Sequence, residues 1–162
     1  MTDAQFIPLD EFEPADLSTC SDGLFQSAVQ SEPFGNILIT TNDGARFGVY
    51  LNDPKGPLAI PLPAGEGRSV IGVLWPTPKF EIDPKTLYSL DRDAEKVGDL
   101  ILTPTPAIVA REPNGWPDEG ERIPVWGELS NAGKPIGARS WRLVSVFGEH
   151  RRVLFERRNK DE

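Results

Sequence analysis

The sequence predicts a mainly β fold in a single domain: a β-sandwich or a partly open β-barrel with an N-terminal arm and one or two short helices. Three observations lead there. From Asn36 onward, short runs rich in Val, Ile, Leu, Phe and Thr recur about every ten residues. Nearly all are bounded by Pro, Gly, Asn or Asp, the residues that supply turns, and the 16 prolines and 15 glycines leave little room for helix. With 162 residues, the chain is of the usual size for one domain and can bury roughly two-thirds of its unfolded surface.

Residues 1–35 read as an acidic N-terminal arm or wrapped segment. Phe6, Ile7, Leu9, Phe12 and Leu17 lie among acids and two prolines, Pro8 and Pro14, without a sustained period. A short helix is expected from Asp22 to Gln30. Ser21 or Asp22 would cap it, Leu24, Phe25, Ala28 and Val29 would share a face, and Pro33 would end it, while Gly23 in its first turn works against it. Removing this segment is expected to leave a folded core.

Residues 36–158 form the β-rich core, followed by a charged tail, 159–162. Ile37–Thr41 and Arg46–Leu51 flank Asn42-Asp43-Gly44, a turn sequence that supplies positive φ, so they form a hairpin. Further strands are expected at Leu58–Leu62, Ser69–Trp75, Lys79–Ile82, Leu100–Thr103, Ala107–Ala110, Ile123–Glu128, Ser140–Phe147 and Arg152–Glu156. Between them, Asp83 can cap a turn or short helix whose first position is Pro84. The segments 74–78 and 102–106 share the pattern L-x-P-T-P. Such paired kinks let a strand bend from one sheet into another; their repetition hints at pseudo-symmetry, but two copies are too few for a repeat and chance similarity among proline-rich edges is the favoured reading. The last hairpin is apolar on both faces, which places it near the centre of a sheet or between layers.

Charge is unevenly distributed. Asp3, Asp10, Glu11, Glu13, Asp16, Asp22, Glu32 and Asp43 all precede the first base, Arg46, so the net charge of -8 resides in the first 45 residues. Arg139, Arg142, Arg151, Arg152, Arg157, Arg158 and Lys160 gather at the other end. The acidic segment folds back on the basic C-terminal hairpin, is an arm offered to a basic partner, or is simply a solvated acidic face. No apolar run approaches the ~20 residues of a membrane-spanning helix. The opening residues lack the positive start and apolar stretch of a secretory signal, so a cytoplasmic location is expected. Cys20 is the only cysteine and is read as an apolar filler.

Motifs for chemistry are scarce. His150, the single histidine, stands at a turn beside Glu149 and cannot build a histidine metal site alone. Gly65-Glu66-Gly67-Arg68-Ser69 precedes a strand and lacks the lysine of a phosphate loop. Asp91-Arg92-Asp93-Ala94-Glu95 begins like a calcium loop, but Lys96 replaces the required glycine and Leu102 the closing glutamate. No cofactor, metal site or catalytic residue is assigned. Trp141 and Phe147 with the C-terminal arginines would suit single-stranded nucleic acid, a reading the overall acidity opposes.

Trp116 sits in a loop of turn formers and acids, either plugging the core or projecting as an anchor. With Asp118, Glu119 and Glu121 around it, and Glu11 and Glu13 on the arm, the expected function is that of a non-enzymatic interaction module. It would bind another macromolecule, a protein with a basic surface. The alternative is a small-ligand or carbohydrate-binding barrel, or an enzyme, whose site is assembled from dispersed carboxylates, arginines and aromatics. Oligomeric state is not legible.

Overall fold

Period-two alternation organises the chain into three antiparallel sheets. The computed structural model describes residues 8–27, 35–62, 70–92, 94–112, 120–129, 133–147 and 150–158. Six strands, β1 (Glu13–Asp16), β2 (Gly23–Ser27), β3 (Asn36–Asn42), β4 (Ala45–Tyr50), β5 (Leu58–Pro61) and β6 (Ile71–Pro76), make one sheet in the order β1-β6-β2-β3-β4-β5. The chain continues through β7 (Lys79–Ile82), a 3-10 turn (Pro84–Thr86), β8 (Leu87–Ser89), β9 (Leu100–Leu102), β10 (Ala107–Ala110) and β11 (Glu121–Pro124). It ends with β12 (Ile136–Ala138), β13 (Trp141–Phe147) and β14 (His150–Arg157). The second sheet runs β11-β10-β9-β12-β8 and the third β14-β13-β7. The architecture is that of a β-sandwich, without a closed barrel.

The main core lies between the inner face of the six-stranded sheet and the other two sheets. Leu24, Leu38, Val49 and Trp75 come from the first sheet, Leu100, Ile108 and Ala138 from the second, and Trp141 and Leu143 from the third. Their sequence neighbours point the other way, and Phe25, Ile37, Ile39 and Leu74 form a second cluster roofed by Leu17 and Cys20. The six-stranded sheet is therefore buried on both faces at its centre, as near-continuous apolar runs require.

This double burial explains a correction. The helix expected at Asp22–Gln30 is not formed over its described part: Gly23–Ser27 is β2, paired with β3 on one side and β6 on the other. Leu24 and Phe25 are each fully buried on opposite faces of the sheet. A helix would turn both toward one side and leave β6 and β3 without a common neighbour. Among the described residues the only helical element is the 3-10 turn, with Pro84 at its start and the Asp83 carboxylate accepting from the Lys85 amide at 3.0 Å, the capping the sequence suggests.

Residues 13–27 belong to the sheet rather than to an appendage. β1 pairs with β6, and the Leu17 amide donates to the Val70 carbonyl at 2.9 Å. The boundary expected at residue 35 thus falls between two paired strands, and the expectation of a folded core without this segment is replaced by one of an opened sheet. The acidic segment does fold back on the C-terminal hairpin. Glu11, with its side chain 1% exposed, accepts from Arg152 Nε at 2.9 Å.

The β3–β4 hairpin forms as expected, with positive φ at Asp43 (52°) and Gly44 (81°). The two L-x-P-T-P segments do different work. The first carries the chain from β6 into β7 and so from one sheet to another, with Thr77 at a φ of 34° and the Trp126 indole donating to the Pro78 carbonyl at 2.6 Å. The second merely joins β9 to β10 within one sheet. The last hairpin matches its reading in part: β13 is the central strand of its sheet, but β14 lies at the edge, with Val146 and Val153 exposed on the outer face. Strands β8 and β12, too short to show a period, escape the sequence reading. No helix among the described residues is long and apolar enough to cross a membrane.

Candidate functional site

Three chain segments meet where β14 ends. In the third sheet, Trp141 of β13 stands opposite Ile82 of β7 on one side and Arg157 of β14 on the other. Arg157 therefore shares the inward face with Trp141, at the rim of the core. The turn at Lys96–Asp99 packs beneath it. The Trp141 indole donates to the Gly98 carbonyl at 2.8 Å, and Arg157 Nη2 donates to the Val97 carbonyl at 3.3 Å. Gly98 has a φ of 100°, and a Cβ there would lie within 3.0 Å of Arg157 Nε, Cζ and Nη2, so glycine admits both the backbone and the guanidinium lying on it.

A cleft of about 430 Å³ opens beside this stack. Its walls are the 52–56 turn, the Lys96–Asp99 turn, Arg139 and the end of β14. Five cationic side chains, Lys55, Lys96, Arg139, Arg157 and Arg158, face it against two carboxylates, Asp53 and Asp99.

Both carboxylates are engaged. Asp53 pairs with Arg111 at 2.7 Å, and Arg111 also donates to the Gly56 carbonyl, which ties the 52–56 turn to the end of β10. Asp99 is buried and accepts from the Tyr88 hydroxyl, from Arg139 and from the Lys96 amide at 2.8 Å. Arg139 lies over the Tyr88 ring with its Cζ 3.9 Å from the ring centre. Burial, then the hydrogen bond and charge of Asp99, push the Tyr88 phenol above its ordinary range, so Tyr88 stays a proton donor to Asp99.

Arg157 differs from its neighbours. Among the described residues no carboxylate lies within ion-pair distance of it, while Arg139 has Asp99 and Arg158 has Glu156 at 3.0 Å. Burial holds its guanidinium below the usual range, offset in part by the charge of Asp99. A partly desolvated cation with one backbone hydrogen bond is left facing a cleft.

A smaller groove of about 210 Å³ adjoins the cleft. The aligned ends of β7, β13 and β14 form it through Glu81, Ile82, Asp83, Ser140, Trp141 and Arg142, and Glu156, Arg157 and Arg158 complete it. Arg157 and Arg158 line both cavities.

The residues singled out from sequence do not converge here. Glu11 is buried against Arg152 and unavailable to a partner. Glu13 is exposed on the edge strand β1, opposite Leu74. Glu121 is exposed at the start of β11 and shares a hydrogen bond with Glu112; that bond first, then burial and the charge of Glu112, push the Glu121 carboxyl above its ordinary range. Trp116, Asp118 and Glu119 lie outside the described residues, as do Gly65–Ser69 and the His150 side chain. Among the described residues, no three His, Cys, Asp or Glu side chains group to hold a metal ion.

The basic cluster at the C-terminus was visible as composition. Its partners were not, because Lys55, Lys96 and Asp99 are isolated charges in turns of ordinary sequence. The one local signal is Val97-Gly98-Asp99, a glycine before an acid ahead of a buried strand. No protein-family model, curated protein or solved structure matches the chain.

Proposed function

We propose that the chain is a non-enzymatic binding module that takes an anionic ligand in the cleft between the 52–56 turn, the Lys96–Asp99 turn and the end of β14. The observation that carries this reading is Arg157. Its charge is partly removed from water, and among the described residues a backbone carbonyl satisfies one of its five N–H donors. A phosphate or carboxylate group entering the cleft would complete its hydrogen bonding, with Lys55, Lys96 and Arg158 adding charge at the walls. Tyr88 and Asp99 hold one another and Arg139 in place, which supports a preformed receptor rather than proton-transfer chemistry. A cytoplasmic setting accompanies the reading, supported by a single, buried and unpaired cysteine.

The test is titration of the full chain with inorganic phosphate, followed by amide and guanidinium NMR, for the native protein and Arg157→Gln. Saturable shifts centred on Gly98 and Arg157, with affinity at least about tenfold weaker in the variant, are expected. Absence of saturable shifts in the native protein would overturn the reading.

A second reading keeps the basic-surfaced protein partner. It is favoured by the hydrogen bond between the Glu112 and Glu121 carboxyls, which stand at the two ends of the segment containing Trp116, Asp118 and Glu119. Two carboxyl groups held together gain from an incoming cation. A basic peptide that lowers the Glu121 pKa on binding would support it; a peptide that binds no better at pH 7 than at pH 4 would sink it.

A further inference from the structure

We infer that the ligand is a singly anchored anionic sugar: a polyhydroxylated body seated in the groove and a phosphate or carboxylate group in the adjoining cleft. This rests on the anion-binding reading and adds the nature of the uncharged part.

The two cavities differ in charge. The cleft has a cationic excess. The groove is balanced, with Glu81, Asp83 and Glu156 set against Arg142, Arg157 and Arg158. A ligand charged along its whole length, such as a polyphosphate or a nucleic-acid strand, would gain in the cleft and gain nothing net in the groove, where three carboxylates offset three guanidiniums. A neutral body with many hydroxyls suits the groove, because each hydroxyl donates to a carboxylate or accepts from a guanidinium.

These polar groups are held in place before any ligand arrives. Arg151 and Arg142 both donate to Glu81, the second at 2.9 Å; Arg142 lies 4.0 Å from Glu156; Glu156 accepts from Arg158 at 3.0 Å. This ladder runs across the outward face of the third sheet and ends at Arg158, on the wall shared with the cleft. Side chains already fixed by one another lose little rotamer freedom when a ligand binds. At the end of the sheet, the half-buried Ile82 gives the groove an apolar component. A pyranose ring, apolar on its C–H face and polar at its edge, matches that combination. The cleft offers no aromatic lining on which a nucleobase would stack.

The connection between the cavities is short. Arg139 faces the cleft and its neighbour Ser140 the groove, while Arg157 and Arg158 border both. A hexose with its anionic group one carbon from the ring is thus a suitable probe.

The experiment is calorimetric titration of the full chain with inorganic phosphate, glucose 6-phosphate and glucose, alongside the Trp141 indole N–H resonance, assigned with Trp141→Phe. Glucose 6-phosphate is expected to bind at least about tenfold more tightly than phosphate, and glucose far more weakly than either. The Trp141 resonance is expected to move further with glucose 6-phosphate than with phosphate, since Trp141 belongs to the lining of the groove and not of the cleft. Glu81→Gln is expected to erase about three- to tenfold of the sugar phosphate's advantage. If glucose 6-phosphate binds no more tightly than phosphate and leaves Trp141 unmoved, the sugar inference fails and anion binding stands. If neither anion binds, both fail.

Discussion

Replacing Gly98 with alanine separates the two roles that the residue plays. Its φ of 100° is one that L side chains rarely adopt, and forcing alanine there costs about 1–2 kcal/mol in any background. The added methyl also meets the Arg157 guanidinium inside 3.0 Å at three of its atoms, so Arg157 must leave its seat. The clashing atoms are the far end of a flexible side chain, so displacing them costs less, below about 1 kcal/mol. Urea denaturation of Gly98→Ala, Arg157→Met and the double variant measures the second part alone, because methionine keeps an apolar stem but removes the clashing group. The double variant is expected to be more stable than additivity predicts by about 0.5–1 kcal/mol. Phosphate affinity of Gly98→Ala is expected to fall about tenfold although no charge has been removed, a difference of about 1.4 kcal/mol. If Gly98→Ala is equally costly with and without Arg157, the guanidinium does not rest on Gly98 and the account of a positioned cation is refuted.

Glu11→Ala leaves Arg152 buried without its partner and is expected to destabilise by about 3 kcal/mol, read by thermal or urea denaturation; a change below about 0.5 kcal/mol would restore the free-arm reading. Deletion of residues 1–35 removes β1 and β2 from the six-stranded sheet, and loss of dispersed methyl resonances and cooperative unfolding is expected. Glu112→Gln removes the neighbour that raises the folded pKa of Glu121, a carboxyl whose stabilising contribution is present below the ordinary value of 4.5 and is lost as pH rises through the raised one. The variant is therefore expected to be slightly more stable than the native protein at pH 7, by no more than about 0.5 kcal/mol for groups this exposed, and to lose that advantage at pH 4. Burial first, opposed by the Arg46 charge, pushes the Cys20 thiol up, so iodoacetamide is expected to label it only at the rate of unfolding; fast labelling of the folded protein would contradict its place in the core.

The legible parts of this fold are those where the chemistry is local. Asp43-Gly44 fixes one hairpin because few other residues tolerate its φ values, and Asp83-Pro84 announces its own turn. The strand Gly23–Ser27 was misread for an instructive reason. Leu24 and Phe25, adjacent and both apolar, are compatible with one face of a helix at short range, and only the presence of a second core roofed by Leu17 and Cys20 makes a two-sided strand the better solution. The reading of Glu11 failed likewise, since nothing local distinguishes an acid that waits for a partner from one that already has Arg152, 141 positions away. For the cleft, the cations come from the 52–56 turn, the Lys96–Asp99 turn, the β12–β13 corner and the last strand, and no spacing rule links them. Site residues carried by turns brought together by a sheet are visible only once the sheet is.

If the cleft takes an anion as proposed, a chain with a net charge of -8 that concentrates cations there would discriminate by size as well as by sign. Exposed charges separated by more than a Debye length, about 8–10 Å at physiological ionic strength, contribute little to one another. A small anion inside the cleft thus feels Arg157 and the lysines, with the acids of distant surfaces largely screened. A long polyanion cannot confine itself to that radius and must also meet the acids elsewhere on the surface and the groove, where three carboxylates offset three guanidiniums. The fold adds to this contrast by neutralising its own carboxylates at the site: Asp99 is covered by Tyr88 and Arg139, and Asp53 by Arg111. Among the described residues, Arg157 is left partly desolvated with no carboxylate within ion-pair distance, which would make it the position where an incoming anionic group gains most.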